Sequence, residues 1–194
     1  ALSSAQPFER SLLAVESRSV THLMINPRAS APAQAARLLL SAVTDDARTR
    51  GAEFLALRCD ASDLLASMAI EQFGGHLLEC SVTYLGVGVQ APTYREFVTD
   101  LHMRDHRPDD LAALERITRK VLRVGRYVRD PRIDSAKALD FYVAWVLNAA
   151  KGDAKFVAVG EREGVVEGFL CASLDPLIAA VTGKRLLHRG LAAT

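Results

Sequence analysis

The sequence has almost no excess charge of either sign. Its 24 Lys and Arg residues nearly balance its 23 Asp and Glu residues, so the formal net charge is only +1. A protein held to nucleic acid by phosphate contacts usually shows a clear basic excess, and a disordered chain carries fewer apolar residues or a larger net charge. The balance argues against both classes. With 194 residues, 49% of them hydrophobic, the chain can build one large core or two small ones.

Cysteine is scarce and widely spaced. Cys59, Cys80 and Cys171 are odd in number and lie in apolar runs, where free buried thiols are common. This usage predicts a reducing, cytoplasmic location. No apolar run approaches the ~20 residues needed to cross a bilayer, and the N-terminus lacks a charged region followed by an apolar core. We therefore expect a soluble protein without a membrane partner.

Motifs for metal, phosphate and serine-hydrolase chemistry are also missing. The cysteines have no CxxC spacing, and neither a Gly-x-Ser-x-Gly elbow nor a GxxxxGK loop occurs. His102 and His106 are four residues apart, but in an extended segment that spacing separates them by about 13 Å, too far to share one ion. We predict no metal cofactor and no nucleic-acid partner.

Hydrophobic periodicity predicts helices alternating with strands in the first half of the chain. Apolar residues recur on one helical face over 32–50. The short apolar run at 54–59 is typical of a buried strand, and Ser62 or Asp63 can cap a helix after it. The other predicted segments of this half are strands near 20–25 and 77–87 and a linker at 88–96.

The second half of the chain has a similar mixture of segments. The predicted elements are a strand at 97–103, a helix from Asp109 or Asp110 to about Leu122, an interruption at 125–134, a helix from Asp134 or Ser135 to Gly152, a hairpin of 156–160 and 165–173, and a strand at 185–194. Alternation of helix and strand predicts an α/β fold with covered sheet faces. The linker divides this fold into domains 1–90 and 91–194.

Three stretches of the second half carry a family resemblance. Residues 106–111 read HRPDDL, residues 156–173 read FVAVGEREGVVEGFLCAS, and residues 125–145 contain GRY, DPRI and FYVAW. In its order of strand, helix, loop, helix, hairpin and strand, the 97–194 segment resembles the first half of the GNAT N-acetyltransferase fold. The 125–145 stretch is similar to bacterial amino-sugar acetyltransferases of the dTDP-fucosamine acetyltransferase type.

The first half of the chain extends this resemblance. The amino-sugar acetyltransferases carry an extra N-terminal α/β domain, and residues 8–87 resemble it through RCDASD at 58–63 and IEQFGG at 70–75. The resemblance therefore implies a GNAT-like mixed sheet flanked by helices and preceded by a smaller α/β domain. It also implies transfer of acetyl from acetyl-CoA to a primary amine, with an amino-sugar nucleotide as the acceptor.

The end of the sequence departs from the family pattern. In the family, the strand that corresponds to 185–194 leads into an Arg/Gln-x-x-Gly-x-Gly/Ala loop whose backbone binds the coenzyme A pyrophosphate. Here the sequence reaches Thr194 before such a loop, and it begins at Ala1 without Met. We therefore expect the 91–194 domain to be incomplete at its C-terminus. The alternative to an enzyme is a non-catalytic or truncated chain that acts as a binding module.

The resemblance assigns cofactor and catalytic residues to the last strand. It places the pantetheine and acetyl group of acetyl-CoA at Leu191, Ala192 and Ala193, for which a plain buried strand is the alternative. His188 is the titratable residue of that strand, and its imidazole titrates near neutrality, so it is the candidate base. Its alternative is a surface histidine beside basic neighbours.

Candidate substrate-binding residues lie between positions 126 and 145. A guanidinium at Arg126 or Arg132 would suit the diphosphate of a nucleotide-activated sugar. Tyr142 and Trp145 stand one helical turn apart and could stack on a base or sugar, with core packing as the alternative. Tyr127 belongs to the same motif. Further arginines precede this stretch on one helical face, for which a solvated surface is the alternative: Arg116, Arg119 and Arg123.

The sequence also raises two expectations about larger-scale organisation, one about how the strands form sheets and one about the oligomeric state. The first half has the helix and strand order of the second half of the GNAT fold, so strands 54–59 and 185–194 could close one permuted sheet. An unpaired terminal strand at 185–194 would also be an exposed edge, which favours pairing with another chain and makes a homodimer plausible.

Overall fold

The computed structural model describes residues 3–26, 28–81, 100–154, 156–174, 180–181, 183 and 187–194. The chain divides into two compact units, 1–82 and 83–194. The predicted domain boundary at 90–91 and the predicted linker at 88–96 lie outside the described residues. Each unit has its own sheet and is described by itself.

The first unit is a three-stranded sheet with three helices. The strands lie in the order β1-β2-β3; β1 is antiparallel to β2, and β2 is parallel to β3. Its elements are β1 (Ser4–Ala5), α1 (Pro7–Leu13), β2 (Ser17–Leu23), α2 (Pro32–Thr49), β3 (Phe54–Cys59) and α3 (Leu64–Gln72). The parallel pair requires a crossover, and α2 supplies it.

The core of the first unit forms where α2 and α3 meet the sheet. Its buried members are Leu23, Ile25, Ala36, Leu40, Ala66 and Ala69. Asp63 ties this core together, because its carboxylate accepts one hydrogen bond from the Ala66 N–H at 2.9 Å and another from the Ile25 N–H at 3.0 Å. These hydrogen bonds hold the pKa of Asp63 below its usual value. Of the two predicted caps, Asp63 is the one that caps α3.

The second unit is a four-stranded antiparallel sheet in the order β4-β5-β6-β7. Short 3₁₀ turns at 108–110 and 122–124 and a wide turn at 149–153 flank its longer helices. Its elements are β4 (His102–Asp105), α4 (Leu111–Val121), α5 (Arg126–Arg129), α6 (Ser135–Asn148), β5 (Phe156–Arg162), β6 (Val165–Leu174) and β7 (Leu187–Ala193).

One face of this sheet builds the core of the second unit. Alternate strand residues point toward α4 and α6, which bury their apolar stripes against them. The buried members are Leu114, Ile117, Val146, Ala149, Val157, Val159, Val166, Phe169, Cys171 and Ala193. Other buried side chains of α5 and α6, among them Tyr127, Phe141 and Tyr142, are not part of this cluster.

Sequence reasoning identified most of these elements. The order strand, helix, loop, helix, hairpin and strand is present in the second unit, and an α/β fold is confirmed. The interruption at 125–134 contains the single helical turn α5. Helix α1 was missed, because its seven residues span too few turns to display a periodic apolar face.

Two sequence-based expectations about strands were wrong. Residues 77–81 form no strand, although Leu77 is apolar; its side chain is 81% exposed and so gains nothing from burial. The remainder of the predicted 77–87 strand lies outside the described residues, as do 97–99 of the predicted 97–103 strand. The permuted single sheet is also excluded, because β3 and β7 belong to different sheets.

A three-residue ion network fixes the entrance to α4. Arg104 of β4 donates two hydrogen bonds to the Asp110 carboxylate, at 2.7 and 2.9 Å, and a third to Glu161 of β5 at 2.8 Å. Asp110 also accepts from the Arg107 N–H at 2.7 Å. The Arg104 and Asp110 side chains are only 15% and 8% exposed. The network therefore joins two strands to the first residues of the helix.

The Asp110 carboxylate makes a testable contribution to acid stability. Its pKa is lowered to about 2, chiefly because Arg104 donates hydrogen bonds to it. The unfolded state therefore binds the proton first as the pH falls. We expect about 2 kcal/mol of stability that is complete above about pH 4 and lost as the pH falls toward 2.

Urea unfolding of the wild type and of Asp110→Asn between pH 2 and pH 6 measures this contribution. The variant should be less stable at pH 6 and should lose less stability between pH 4 and pH 2. Asp109→Asn, a change at the exposed neighbouring carboxylate, is the control and should follow the wild type. Parallel curves for the wild type and Asp110→Asn would contradict the assignment.

Candidate functional site

The edge strand β7 has an irregular pairing with its neighbour β6. Leu170 pairs with Ala192 and Ala172 pairs with Arg189, so Gly190 and Leu191 together oppose the single residue Cys171. This two-against-one pairing is a β-bulge, which leaves part of the backbone outside the hydrogen-bond ladder. Among the described residues, β7 pairs only with β6, so its other edge adds further unused backbone groups. We call residues 190–193 the bulged edge.

The residues predicted to bind the cofactor all lie on the bulged edge, but they differ in exposure. Ala193 is 6% exposed and belongs to the core, whereas Leu191 is half-buried against it and Ala192 is exposed. The plain buried-strand interpretation therefore describes Ala193 but not Ala192.

The Cys171 thiol lies opposite the bulge and is chemically quiet. Its side chain is 3% exposed, and burial raises its pKa to about 11. The thiolate is the nucleophilic form of cysteine, so a neutral thiol at physiological pH serves packing and not attack.

The candidate base His188 lies on the same strand. Its backbone pairs with Ser173, two residues before the bulge begins. The His188 side chain lies outside what the structure describes, so its catalytic role stays a prediction.

Gly168 lets β7 approach β6 closely beside the bulged edge. A Cβ at this position would lie 3.0 Å from the Ala193 carbonyl oxygen and 2.9 Å from the Thr194 Cγ2. Gly168 also pairs with Gly160 directly beside the register shift between β5 and β6, so this glycine lies next to a bulge as well as against the neighbouring strand. Gly190, by contrast, has only ordinary contacts, with Cys171 O at 3.6 Å as the nearest.

Four of the five predicted substrate residues, all except Arg132, belong to an aromatic cluster or contact it. The Tyr127 and Phe141 rings are 4.9 Å apart at their centroids, and the Phe141 and Tyr142 rings are 5.5 Å apart, both in edge-to-face geometry. These three rings are at most 5% exposed, so their surface is used in packing. Trp145 contacts the cluster through Phe141 at 6.1 Å and remains 38% exposed.

Gly125 brings the loop against this cluster. A Cβ on Gly125 would lie 2.5 Å from the Tyr142 hydroxyl and 2.7 Å from a ring carbon, so no larger residue fits without moving the ring. The turn α5 begins directly after it and positions the following Arg126. The guanidinium of Arg126 lies 4.6 Å from the Tyr127 ring centroid and donates to the Tyr127 hydroxyl at 2.7 Å.

Asp130 is a structural residue that sequence reasoning did not single out. Its carboxylate is 1% exposed and accepts from Arg132 through the backbone N–H at 3.0 Å, Nε at 2.8 Å and Nη2 at 2.6 Å. This fork raises the pKa of Arg132 and keeps its side chain, 62% exposed, in one orientation. The DPRI motif itself was the available signal, because it places an acid two residues before an arginine.

Comparison with known proteins identifies no relative. No protein-family model matches the chain, and no curated protein matches its sequence.

None of the helices among the described residues is both long and apolar enough to cross a membrane. Within the same residues, no three His, Cys, Asp or Glu side chains are grouped so that they could hold a metal ion.

The close approach at Gly168 predicts a sharp difference between two glycines of the same sheet. Gly168→Ala should destabilise the protein by about 1–3 kcal/mol, because the added methyl meets the Ala193 carbonyl at a distance that real Cβ atoms seldom show. Gly190→Ala is the matched control and should change stability little. Urea unfolding measures both changes, and an equal effect of the two would contradict the geometry.

Proposed function

We propose that this chain is an N-acetyltransferase of the GNAT type, which transfers acetyl from acetyl-CoA to a primary amine. The element order of the second unit supports the proposal, since the two longer helices α4 and α6, with the short α5 between them, separate β4 from a hairpin and a further strand. The resemblance of residues 106–111, 125–145 and 156–173 to that superfamily supports it independently. The amino-sugar nucleotide acceptor is the finer part of the proposal.

The observation that carries the proposal is the bulge at Gly190 and Leu191. The resemblance assigns acetyl-CoA to this strand, and pantetheine is an extended chain with two amide groups. An extended ligand can pair with an open strand edge through backbone hydrogen bonds. The bulged edge offers such groups within the residues assigned to the cofactor.

The chemistry requires a neutral amine next to a polarised thioester carbonyl. The amine nitrogen forms a bond to the carbonyl carbon, the carbon–sulfur bond breaks, and coenzyme A leaves as a thiolate. The proton lost by the amine passes to a base and is balanced by protonation of the leaving thiolate. A backbone N–H of the bulged edge would stabilise the carbonyl oxygen as negative charge develops on it.

Direct attack by the amine fits the charge state of the nearest thiol. The pKa of Cys171 is raised to about 11, so its thiolate is scarce at neutral pH and an acyl-cysteine intermediate is disfavoured. We assign the base to His188, because histidine is the side chain whose ordinary pKa lies nearest to physiological pH.

The acceptor would contact the most exposed members of the predicted substrate group. The Arg132 side chain is 62% exposed, and Trp145 is 38% exposed. Arg126, Tyr127 and Tyr142 would position them through packing and hydrogen bonds. A guanidinium suits a phosphate and an indole suits a ring, so we infer an acceptor that carries both groups.

Isothermal titration with acetyl-CoA tests the cofactor site. We expect micromolar binding to the wild type. Deletion of Gly190 should weaken it at least tenfold, because one residue then opposes Cys171 and the regular ladder closes over the backbone groups. The deletion preserves the pairing on both sides of the bulge, so its melting temperature should stay at or above that of the wild type.

Gly190→Ala, which keeps both bulge residues, is the matched control for the deletion and should retain acetyl-CoA binding. Absence of binding heat for the wild type would sink the enzyme proposal for this chain and favour the binding-module alternative. Equal binding by the wild type and the deletion would move the cofactor away from the bulged edge.

The fluorescence of Trp145 tests the acceptor site, because the chain has a single tryptophan. A dTDP-linked amino sugar should quench this fluorescence in a saturable manner. Arg132→Gln should weaken the binding about tenfold through loss of the guanidinium. Lys137→Gln removes one exposed charge from the first turn of α6 and is the control. Unaltered binding by Arg132→Gln would contradict the assignment.

A further inference from the structure

The charge of the chain is strongly segregated despite its near balance overall. Residues 116–132 contain seven of the 24 Lys and Arg residues but only one of the 23 Asp and Glu residues, which gives the segment a net charge of +6. The remainder of the chain therefore carries −5. A local excess of this size in 17 residues creates a positive potential that the overall charge conceals.

Three members of the segment form one line on α4 and the turn after it. Arg116, Lys120 and Arg123 occupy positions i, i+4 and i+7, which share a helical face. All three are exposed, and we call them the basic stripe. No carboxylate of the described residues forms an ion pair with the stripe.

The nearest acids on α4 and α6 are engaged elsewhere. Glu115 and Asp140 both bind Arg119, at 2.9 and 2.8 Å, and so neutralise the residue beside the stripe. Because Glu115 and Asp140 bind Arg119, they do not neutralise the positive charge of the basic stripe. The positive charge of the stripe faces solvent without compensation from these neighbours.

Backbone contacts partly order the stripe. Arg116 donates to the Val166 carbonyl at 2.9 Å, and Arg123 donates to the Arg119 carbonyl at 3.3 Å. Basic residues in the last turn of a helix complement its dipole, which explains part of their presence. The helix dipole does not account for Arg116, because Arg116 lies in the middle of α4.

The shape of the surface selects the kind of partner. Small molecules bind in concave sites with convergent polar groups, whereas the stripe lies on the convex outer face of a helix. It spans about 10 Å along the axis, the length over which a partner helix would present acids at i, i+4 and i+7. Nucleic acid fits less well, since its phosphates would continue onto the rest of a chain that carries −5.

An apolar residue at the end of the stripe favours a protein partner. Val124 directly follows Arg123 and is 63% exposed. Protein interfaces typically surround an apolar anchor with charged groups at the rim. Charge and anchor together match an amphipathic helix with one acidic row and one apolar side chain next to it.

We propose that the basic stripe and Val124 form a docking surface for an acidic amphipathic helix of a partner protein. Charge complementarity would steer the encounter and fix the register, and Val124 would supply buried apolar area. The proposal is independent of the proposed acetyl transfer, because Arg116, Lys120, Arg123 and Val124 have no role in the proposed cofactor and acceptor sites.

Fluorescence anisotropy with the full chain tests the surface. The probe is a labelled helical peptide with Glu at i, i+4 and i+7 and an adjacent Leu, titrated at 50 and 200 mM NaCl. We expect saturable binding that weakens with salt. Lys120→Glu with Arg123→Glu should weaken it at least tenfold, and Lys120→Gln with Arg123→Gln should weaken it less. The glutamine pair guards against a helix that the acidic pair destabilises.

Two further variants separate charge from apolar contact. Lys137→Glu with Lys151→Glu makes the same charge change at exposed positions outside the stripe and should leave binding within twofold of the wild type. Val124→Ser should weaken binding without altering its salt dependence.

Three results would overturn the docking proposal. The first is absence of peptide binding, and the second is equal loss in the stripe and control variants. The third is tighter binding of a dT20 oligonucleotide or of phosphatidylserine vesicles through the same stripe residues.

Discussion

The ion network of Arg104, Asp110 and Glu161 is the constraint on which the second unit depends. One guanidinium satisfies two carboxylates and thereby joins β4, β5 and the entrance of α4. A pair this well shielded stabilises only while it is complete, because removal of one partner leaves the others buried without compensation. Once the start of α4 is fixed, Leu114 and Ile117 on its apolar face point at the sheet. The core then follows from the alternation of side chains along β5 and β6.

The two edge strands of this sheet, β4 and β7, differ: β4 is held by the ion network, whereas β7 is irregular. The network lies at β4, whereas the bulge lies in β7 at the opposite end of the strand order. To bind an extended ligand, a strand edge needs backbone N–H and C=O groups that are not hydrogen-bonded within the sheet. A bulge leaves such groups unpaired while most of the strand keeps its regular pairing. Gly168 maintains the close contact of β6 with β7 beside the bulge. The sheet therefore combines an ion-paired edge at β4 with an open, bulged edge at β7, at which we propose that an extended cofactor binds.

Sequence reasoning succeeded where structure is local. The apolar periodicity of α2, α4 and α6, the cap at Asp63 and the hairpin of β5 and β6 can all be recognised within a few neighbouring residues. It failed where structure depends on distant partners: the strand expected at 77–81 has no strand structure, and the close contact of Gly168 with Ala193 and Thr194 emerges only when the chain is folded. The register shift opposite Cys171 likewise has no local signal. Of the arginines that the sequence places on one helical face, Arg116 and Arg123 belong to the basic stripe. The structure shows that Arg119 is instead paired with Glu115 and Asp140.

The central claim is that the bulged edge of β7 receives acetyl-CoA. Amide chemical-shift mapping on the ¹⁵N-labelled chain tests it most directly, because each backbone N–H reports its own contacts. The account predicts that acetyl-CoA shifts the amides of Gly190, Leu191 and Ala192 most strongly and leaves those of β4 nearly unchanged. Shifts concentrated in the first unit, or none at saturating acetyl-CoA, would contradict it.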